Sequence, residues 1–94
     1  MNAAPYDLIV TRPAAADLAE RLPEAVAVAA IELITGPLLD APRRIGVPLR
    51  DEFEGLWAAR LGTYRVIYRI DEANRRVEVV RISHRRDAYR TRGE

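Results

Sequence analysis

Two alternating runs, YRVIYRI from Tyr64 to Ile70 and RVEVVRIS from Arg76 to Ser83, flank the polar pentapeptide DEANR and leave this chain few ways to fold. Side chains of a strand point to opposite faces in turn, so Tyr64, Val66, Tyr68 and Ile70 share one face while Arg65, Ile67 and Arg69 share the other. The short polar turn, in which Asn74 suits a positive φ, makes the two runs an antiparallel hairpin. One face is then core, and the opposite face carries two arginines.

A third β-rich run, LWAARL from Leu56 to Leu61, precedes the hairpin, and a fourth, YDLIV from Tyr6 to Val10, begins the chain. Between them Thr11 and Pro13 mark a helix start, and Pro23 interrupts that helix because its ring clashes with the preceding turn and it offers no N–H. A second helix follows over PEAVAVAAIELIT, with Glu24 favouring the positive end of its dipole and Gly36 and Pro37 closing it. It is apolar on nearly every side, so a face not packed on the sheet needs a cover from the first helix or a partner. Residues 36 to 55 form a long, apolar-studded connection, a type of loop often tied to function. The reading is an α+β fold, with an N-terminal strand and helical hairpin packed on a mostly antiparallel four-stranded sheet and a short basic C-terminal segment. Residues 1–94 are expected to form a single domain.

Arginine supplies all fifteen basic side chains against fourteen acids, for a formal net charge of +1. Distribution matters more than the balance: from Arg75 to Arg92, seven arginines (75, 76, 81, 85, 86, 90 and 92) stand against two acids, Glu78 and Asp87. The planar guanidinium stays charged at physiological pH and binds phosphate through paired hydrogen bonds. Cysteine is absent and there is one histidine, which argues against a disulfide framework, a thiol nucleophile or a protein-only zinc site. Neither a glycine-rich phosphate loop nor a nucleophile elbow occurs. The N-terminus lacks the features of a secretory signal, and no run approaches the roughly 20 apolar residues of a membrane span, so a cytoplasmic protein without membrane contact is expected.

A surface rich in arginine suits phosphate recognition and stabilisation of a charged transition state. RNA cleavage is one such reaction, because the 2′-hydroxyl can serve as nucleophile and the protein need only orient the strand, neutralise the developing charge and move protons. The stretch PRRIGVPLRDEFEGLWAARLGTYRVIYRI, followed by VEVVRISHRRDAYR, resembles the RelE toxins of bacterial toxin–antitoxin pairs. Their pattern runs G-x-P-L, then G-x-x-x-x-R-x-G-x-Y-R-V-x-Y, then I-x-H-R-x-x-x-Y. The preceding strand and helical hairpin also match, so nearly the whole chain is covered.

That resemblance implies a ribosome-dependent endoribonuclease that needs no metal or other cofactor and cuts messenger RNA in the ribosomal A site. It assigns phosphate stabilisation to Arg65 and Arg85, a further active-site role to Arg60, and nucleotide orientation to Tyr89. Leu56, Trp57, Ala58 and Ala59 stand where familiar members carry lysines, which leaves the proton acceptor open among His84, Glu52 and Glu54. Arg43, Arg44, Arg50, Arg86 and Arg90 are candidates for the RNA backbone or, alternatively, solvated charges. The implied partners are a RelB-like antitoxin in a heterodimer or heterotetramer, the ribosome with its message, and promoter DNA reached through the antitoxin. Two other readings share the fold: a ParE-like poison of DNA gyrase, and an inactive homologue acting as a co-repressor.

Overall fold

The computed structural model of the chain describes residues 4–88. The hairpin of the alternating runs is its centre. Strand β4, Tyr64–Asp71, pairs antiparallel with β5, Arg76–His84, and on its other side with β3, Trp57–Leu61. Strand β1, Asp7–Val10, runs parallel to β5, with Leu8 opposite Val77 and Val10 opposite Val79. A fifth strand corrects the expected four: β2, the two residues Val47–Pro48, lies in the long connection and pairs with β3. The strand order is β1-β5-β4-β3-β2.

Local chemistry sets the helix boundaries. Thr11 is extended and its hydroxyl accepts the Ala14 N–H, capping α1, Arg12–Ala16. The chain then widens into a π-helical turn, Asp17–Arg21, closed by a bond from the Leu22 N–H to the Asp17 carbonyl and stopped by Pro23, which has no N–H to extend it. Helix α2, Glu24–Thr35, ends at Gly36. The connection that follows is more structured than its glycines and prolines suggest, with two one-turn helices, α3 over Pro37–Asp40 and α4 over Pro42–Ile45, and a 3₁₀ turn over Asp51–Phe53.

Ala14, Ala30, Ile34 and Leu38 from the helices meet Ala59, Val66, Tyr68, Val77, Val79 and Ile82 from the sheet in the main core. Burying such side chains contributes roughly 1.5–3 kcal/mol for each large aliphatic one. The second face is partly covered too, since Ala58, Ile67 and Ala88 form a smaller buried cluster with Leu49, Leu56 and Val80. On α2, Val28 and Ile31 remain 51% and 47% exposed, so among the described residues the apolar outer side of that helix is uncovered. No helix among the described residues is long and apolar enough to cross a membrane.

Strand β5 carries a bulge. Ile67 is opposite Arg81 and Tyr68 is opposite Val79, which leaves Val80 as the extra residue. The bulge reverses the phase of the alternation, so Val77, Val79 and Ile82 all enter the helix-side core despite the odd spacing from 79 to 82. In the turn between β4 and β5 the positive φ falls on Arg75, at 52°, and not on Asn74. Asn74 instead bonds the Asp71 carboxylate through its backbone N–H and its side-chain amide.

Candidate phosphate-binding site

The bulge decides which side chains meet at the other end of the hairpin. Arg60 of β3 lies directly opposite Arg65 of β4, and Arg65 lies directly opposite Ser83 of β5. Opposed residues of an antiparallel pair share a face, so Arg60, Arg65 and Ser83 form one row across three strands on the face away from the helices. The strands are joined by the two-residue turn Gly62–Thr63, with Gly62 at φ 61°, a conformation that glycine adopts without strain. Arg65 is held there by its own turn: its Nη1 donates to the carbonyls of Gly62 at 3.2 Å and Tyr64 at 2.9 Å.

Like charges directly opposite across a sheet are unfavourable, and no carboxylate relieves this pair among the described residues. Other arginines are neutralised. Arg69 pairs with Glu78 at 3.0 Å, Arg43 with Glu72 at 2.9 Å, and Arg81 with the buried Asp17 at 2.9 Å. Arg60 and Arg65 also line a cleft of about 530 Å³ with Ile45, Gly46, Val47 and Ala58. An anion in the cleft would meet two guanidinium groups whose charge no described carboxylate offsets.

Burial shapes one wall of that cleft. Tyr68, fully buried, donates its hydroxyl hydrogen to the Pro42 carbonyl at 2.5 Å, and desolvation pushes its pKa up to about 12. A Cβ on Gly46 would stand 2.3 Å from that hydroxyl and 2.7 Å from the Ala58 carbonyl. Glycine at 46 therefore lets α4 and β2 close against β3.

Arg85 reaches the same end of the sheet. It begins the turn after β5 and its N–H donates to the Thr63 carbonyl at 2.7 Å, while its side chain is exposed. Tyr89 and Arg90 lie outside the described residues. His84, by contrast, is not brought to the arginine pair. It lies opposite Tyr64, with the two rings edge to face at 5.4 Å, on the helix side of the sheet beside Asp17 and Arg21.

The backbone candidates separate as well. Arg43 bonds Glu72 and the Tyr6 hydroxyl at the far end of β4, about 23 Å of strand away from Arg65 at roughly 3.3 Å per residue. Those bonds raise the Arg43 pKa further and hold the Glu72 carboxyl below the usual range, first through Tyr6 and then through Arg43. Arg44 lines a shallow pocket at that same end with Tyr6 and Arg75. Arg50 is exposed between β2 and the 3₁₀ turn, and Arg86 is exposed beside Arg85. Glu52 and Glu54 are exposed and make no ion pair with Arg60 or Arg65.

Ser83 was not among the candidates read from the sequence. Its Oγ is buried without a hydrogen-bond partner among the described residues, and only the register, which the sequence does not display, places it beside Arg65. No group of three or more metal-ligating side chains occurs among the described residues.

A family model described as the ParE toxin of the type II toxin–antitoxin system parDE matches residues 8–89. The chain is 50% identical over 86 residues to Toxin RelE of Mycobacterium tuberculosis, covering 92% of this chain and 88% of that one. The chain belongs to the RelE/ParE family of type II toxins. To Toxin RelG of the same organism the toxin is 43% identical over 86 residues, covering 92% of this chain and 98% of that one. The M. tuberculosis toxin–antitoxin complex RelBE2 contains a chain that superposes with a TM-score of 0.82 at 41% identity, covering 86% of this toxin and 99% of that chain.

Proposed function

We propose that this toxin is an endoribonuclease that cleaves messenger RNA in the ribosomal A site and so halts translation. The observation that carries the reading is the cross-strand pair Arg60 and Arg65, uncompensated by any described acid, beside an open cleft and next to the backbone anchor of Arg85. Attack of a ribose 2′-oxygen on the adjacent phosphorus, as its proton passes to a base, forms a 2′,3′-cyclic phosphate and breaks the bond to the 5′-oxygen, which takes up a proton; in the transition state negative charge builds on the phosphoryl oxygens. Fixed guanidinium groups favour that state more than the ground state, which is how positioned charge accelerates a reaction.

The work assigned to the pair is electrostatic and positional. Arg65, fixed by two carbonyls, holds one oxygen; Arg60, without a partner among the described residues, closes on the other; Arg85 approaches from the turn, and Tyr89 orients the nucleotide. Removing one such group is expected to lower the cleavage rate by about 10²–10³-fold. A RelB-like antitoxin would cover this site in the cytoplasm, and the complex would repress its own promoter. The relative found in the RelBE2 toxin–antitoxin complex supports such a partner.

A second reading, poisoning of DNA gyrase, is favoured by the ParE description of the matching family model. Inducing the chain alone and mapping messenger RNA ends separates the two. Growth arrest with codon-phased cuts, relieved by Arg65→Ala and Arg85→Ala, supports the nuclease. Arrest with intact messages and inhibited supercoiling by purified gyrase supports the poison instead.

A further inference from the structure

The single histidine has a definite contact that neither the arginine pair nor the core explains. His84 ends β5, and the turn of residues 85–88 folds back from it over the sheet, where Ala88 packs against Ala58 and Ile67. Three bonds shape that turn: Arg85 N–H to the Thr63 carbonyl at 2.7 Å, Asp87 N–H to the His84 carbonyl at 2.8 Å, and Arg86 N–H to His84 Nδ1 at 3.1 Å. The third has a chemical requirement. A ring nitrogen accepts a hydrogen bond only when it carries no proton, so the imidazole must be neutral with its hydrogen on Nε2. Tyr64, edge to face with the ring, keeps it in that orientation from the helix side of the sheet.

We propose that His84 is a positioning residue for Arg85, its neutral imidazole fixing the turn that carries Arg85 to the arginine pair, so that protonation of His84 loosens the turn and lowers activity in acid. This rests on the nuclease reading for the activity, while the device itself is a property of the free chain. Once both nitrogens carry hydrogen, Nδ1 confronts the Arg86 N–H as donor against donor, and the hold on the turn is lost.

Among the described residues, the charged and titratable groups that line the pocket with His84 or bond it are Tyr64 from β4, Asp17 and Arg21 from the π-helical turn, Arg81 from β5, and Arg86 and Asp87 from the turn itself. Asp17 accepts bonds from both Arg21 and Arg81, which leaves it directed at them. A role for His84 in moving the substrate proton is disfavoured by its place across the sheet from Arg60 and Arg65.

Two measurements on the full chain test this. The first uses no RNA: nuclear magnetic resonance of the imidazole nitrogens and the Arg86 amide across pH 5–8. The expected result is the Nε2–H tautomer at neutral pH and loss of Arg86 amide protection in step with His84 protonation. An Nδ1–H tautomer, or an Arg86 amide indifferent to the titration, overturns the proposal.

The second compares cleavage of ribosome-bound message by the wild type, His84→Ala and His84→Asn. The Asn Oδ1 takes the place of Nδ1 as acceptor and does not titrate. His84→Ala is expected to lose about 2- to 12-fold in rate, as for one hydrogen bond, and His84→Asn to recover most of that loss with a flattened acid limb. Equal damage in both variants overturns positioning in favour of proton transfer. If the wild type cuts no message, the nuclease reading falls, and the resonance measurement still decides the device.

Discussion

Replacing Arg60 by methionine should stabilise the toxin, an unusual outcome for a substitution in a candidate active site. Arg60 is exposed and has no hydrogen bond or ion pair among the described residues, so Arg60→Met keeps the aliphatic stem and forfeits no bond. What it removes is repulsion from Arg65 directly opposite. The interaction of a directly opposed cross-strand pair is roughly 0.2–1 kcal/mol, so the relief is about 0.6 kcal/mol. Unfolding entropy of about 2.1 cal/mol/K per residue gives close to 0.2 kcal/mol/K for a chain of this size. Tm should therefore rise by about 3 °C at low ionic strength and by less in salt, where the charges are screened. Arg65→Met should behave differently, because it also gives up the two bonds to Gly62 and Tyr64, each contributing about 0.5–1.5 kcal/mol. In the double variant the repulsion can be relieved only once, so the two single effects should sum to about 0.6 kcal/mol more stability than is found. Calorimetry of the four proteins, repeated with phosphate in place of chloride at constant ionic strength, closes the cycle: phosphate should raise Tm for the wild type more than for either variant. Additive effects, or an Arg60→Met protein less stable than the wild type and equally responsive to phosphate, would refute the idea that this pair awaits an anion.

Gly46→Ala places a methyl 2.3 Å from the Tyr68 hydroxyl and should cost about 1–3 kcal/mol in urea unfolding, with a cost under 0.5 kcal/mol counting against the close approach. Asp17 is 1% exposed and accepts bonds from Arg21, from Arg81 twice and from the Ile82 N–H. Asp17→Asn presents an amide to those donors and should destabilise by about 3–5 kcal/mol; a midpoint within error of wild type would remove Asp17 from that role. Alkaline titration tests Tyr68. Its folded pKa is raised from 10.0 to about 12, so the stability it contributes is complete below pH 10 and is lost as pH rises toward 12. The full loss is about 2–3 kcal/mol, and Tyr68→Phe should show a flatter decline above pH 10.

The parts of the fold that follow from local rules were legible in the sequence. Period two in β4 put Arg65 and Ile67 on the face opposite Val66 and Tyr68, Thr11 capped its helix, and Pro23 and Gly36 bounded α2. The two-residue β2 was not, because a strand so short has no periodicity to read and exists only through its pairing with Trp57 and Ala58. The bulge at Val80 had the largest consequence. Unbroken alternation from Val77 and Val79 puts Ser83 in the core and His84 on the outer face, whereas the bulge exchanges them. Bulges are set by how β5 must twist to serve β1, β4 and the helices together, and RVEVVRIS carries no glycine to mark one. Hence the sequence could place Arg65 on the outer face, while its pairing with Arg60 and the place of His84 come from the register.

The same register explains how a chain with a net charge of +1 carries a strongly cationic site. The described acids that form ion pairs do so elsewhere. Asp17 serves Arg21 and Arg81 behind the sheet, Glu72 serves Arg43 and Arg75 at the far turn, and Glu78 serves Arg69 midway along β4. The Arg81, Arg43 and Arg69 pairs each fasten one element to another, and none of the five ion pairs among the described residues involves Arg60, Arg65 or Arg85 at the Gly62 end. Overall charge was therefore the wrong quantity to consult, since long-range attraction reflects the average while affinity reflects the charges left uncompensated within a few ångström of the ligand. A phosphate and an acidic segment of a protein partner satisfy the same two guanidinium groups. Whichever binds relieves the same repulsion, so the two must compete, and Arg60→Met should weaken both while making the free toxin more stable.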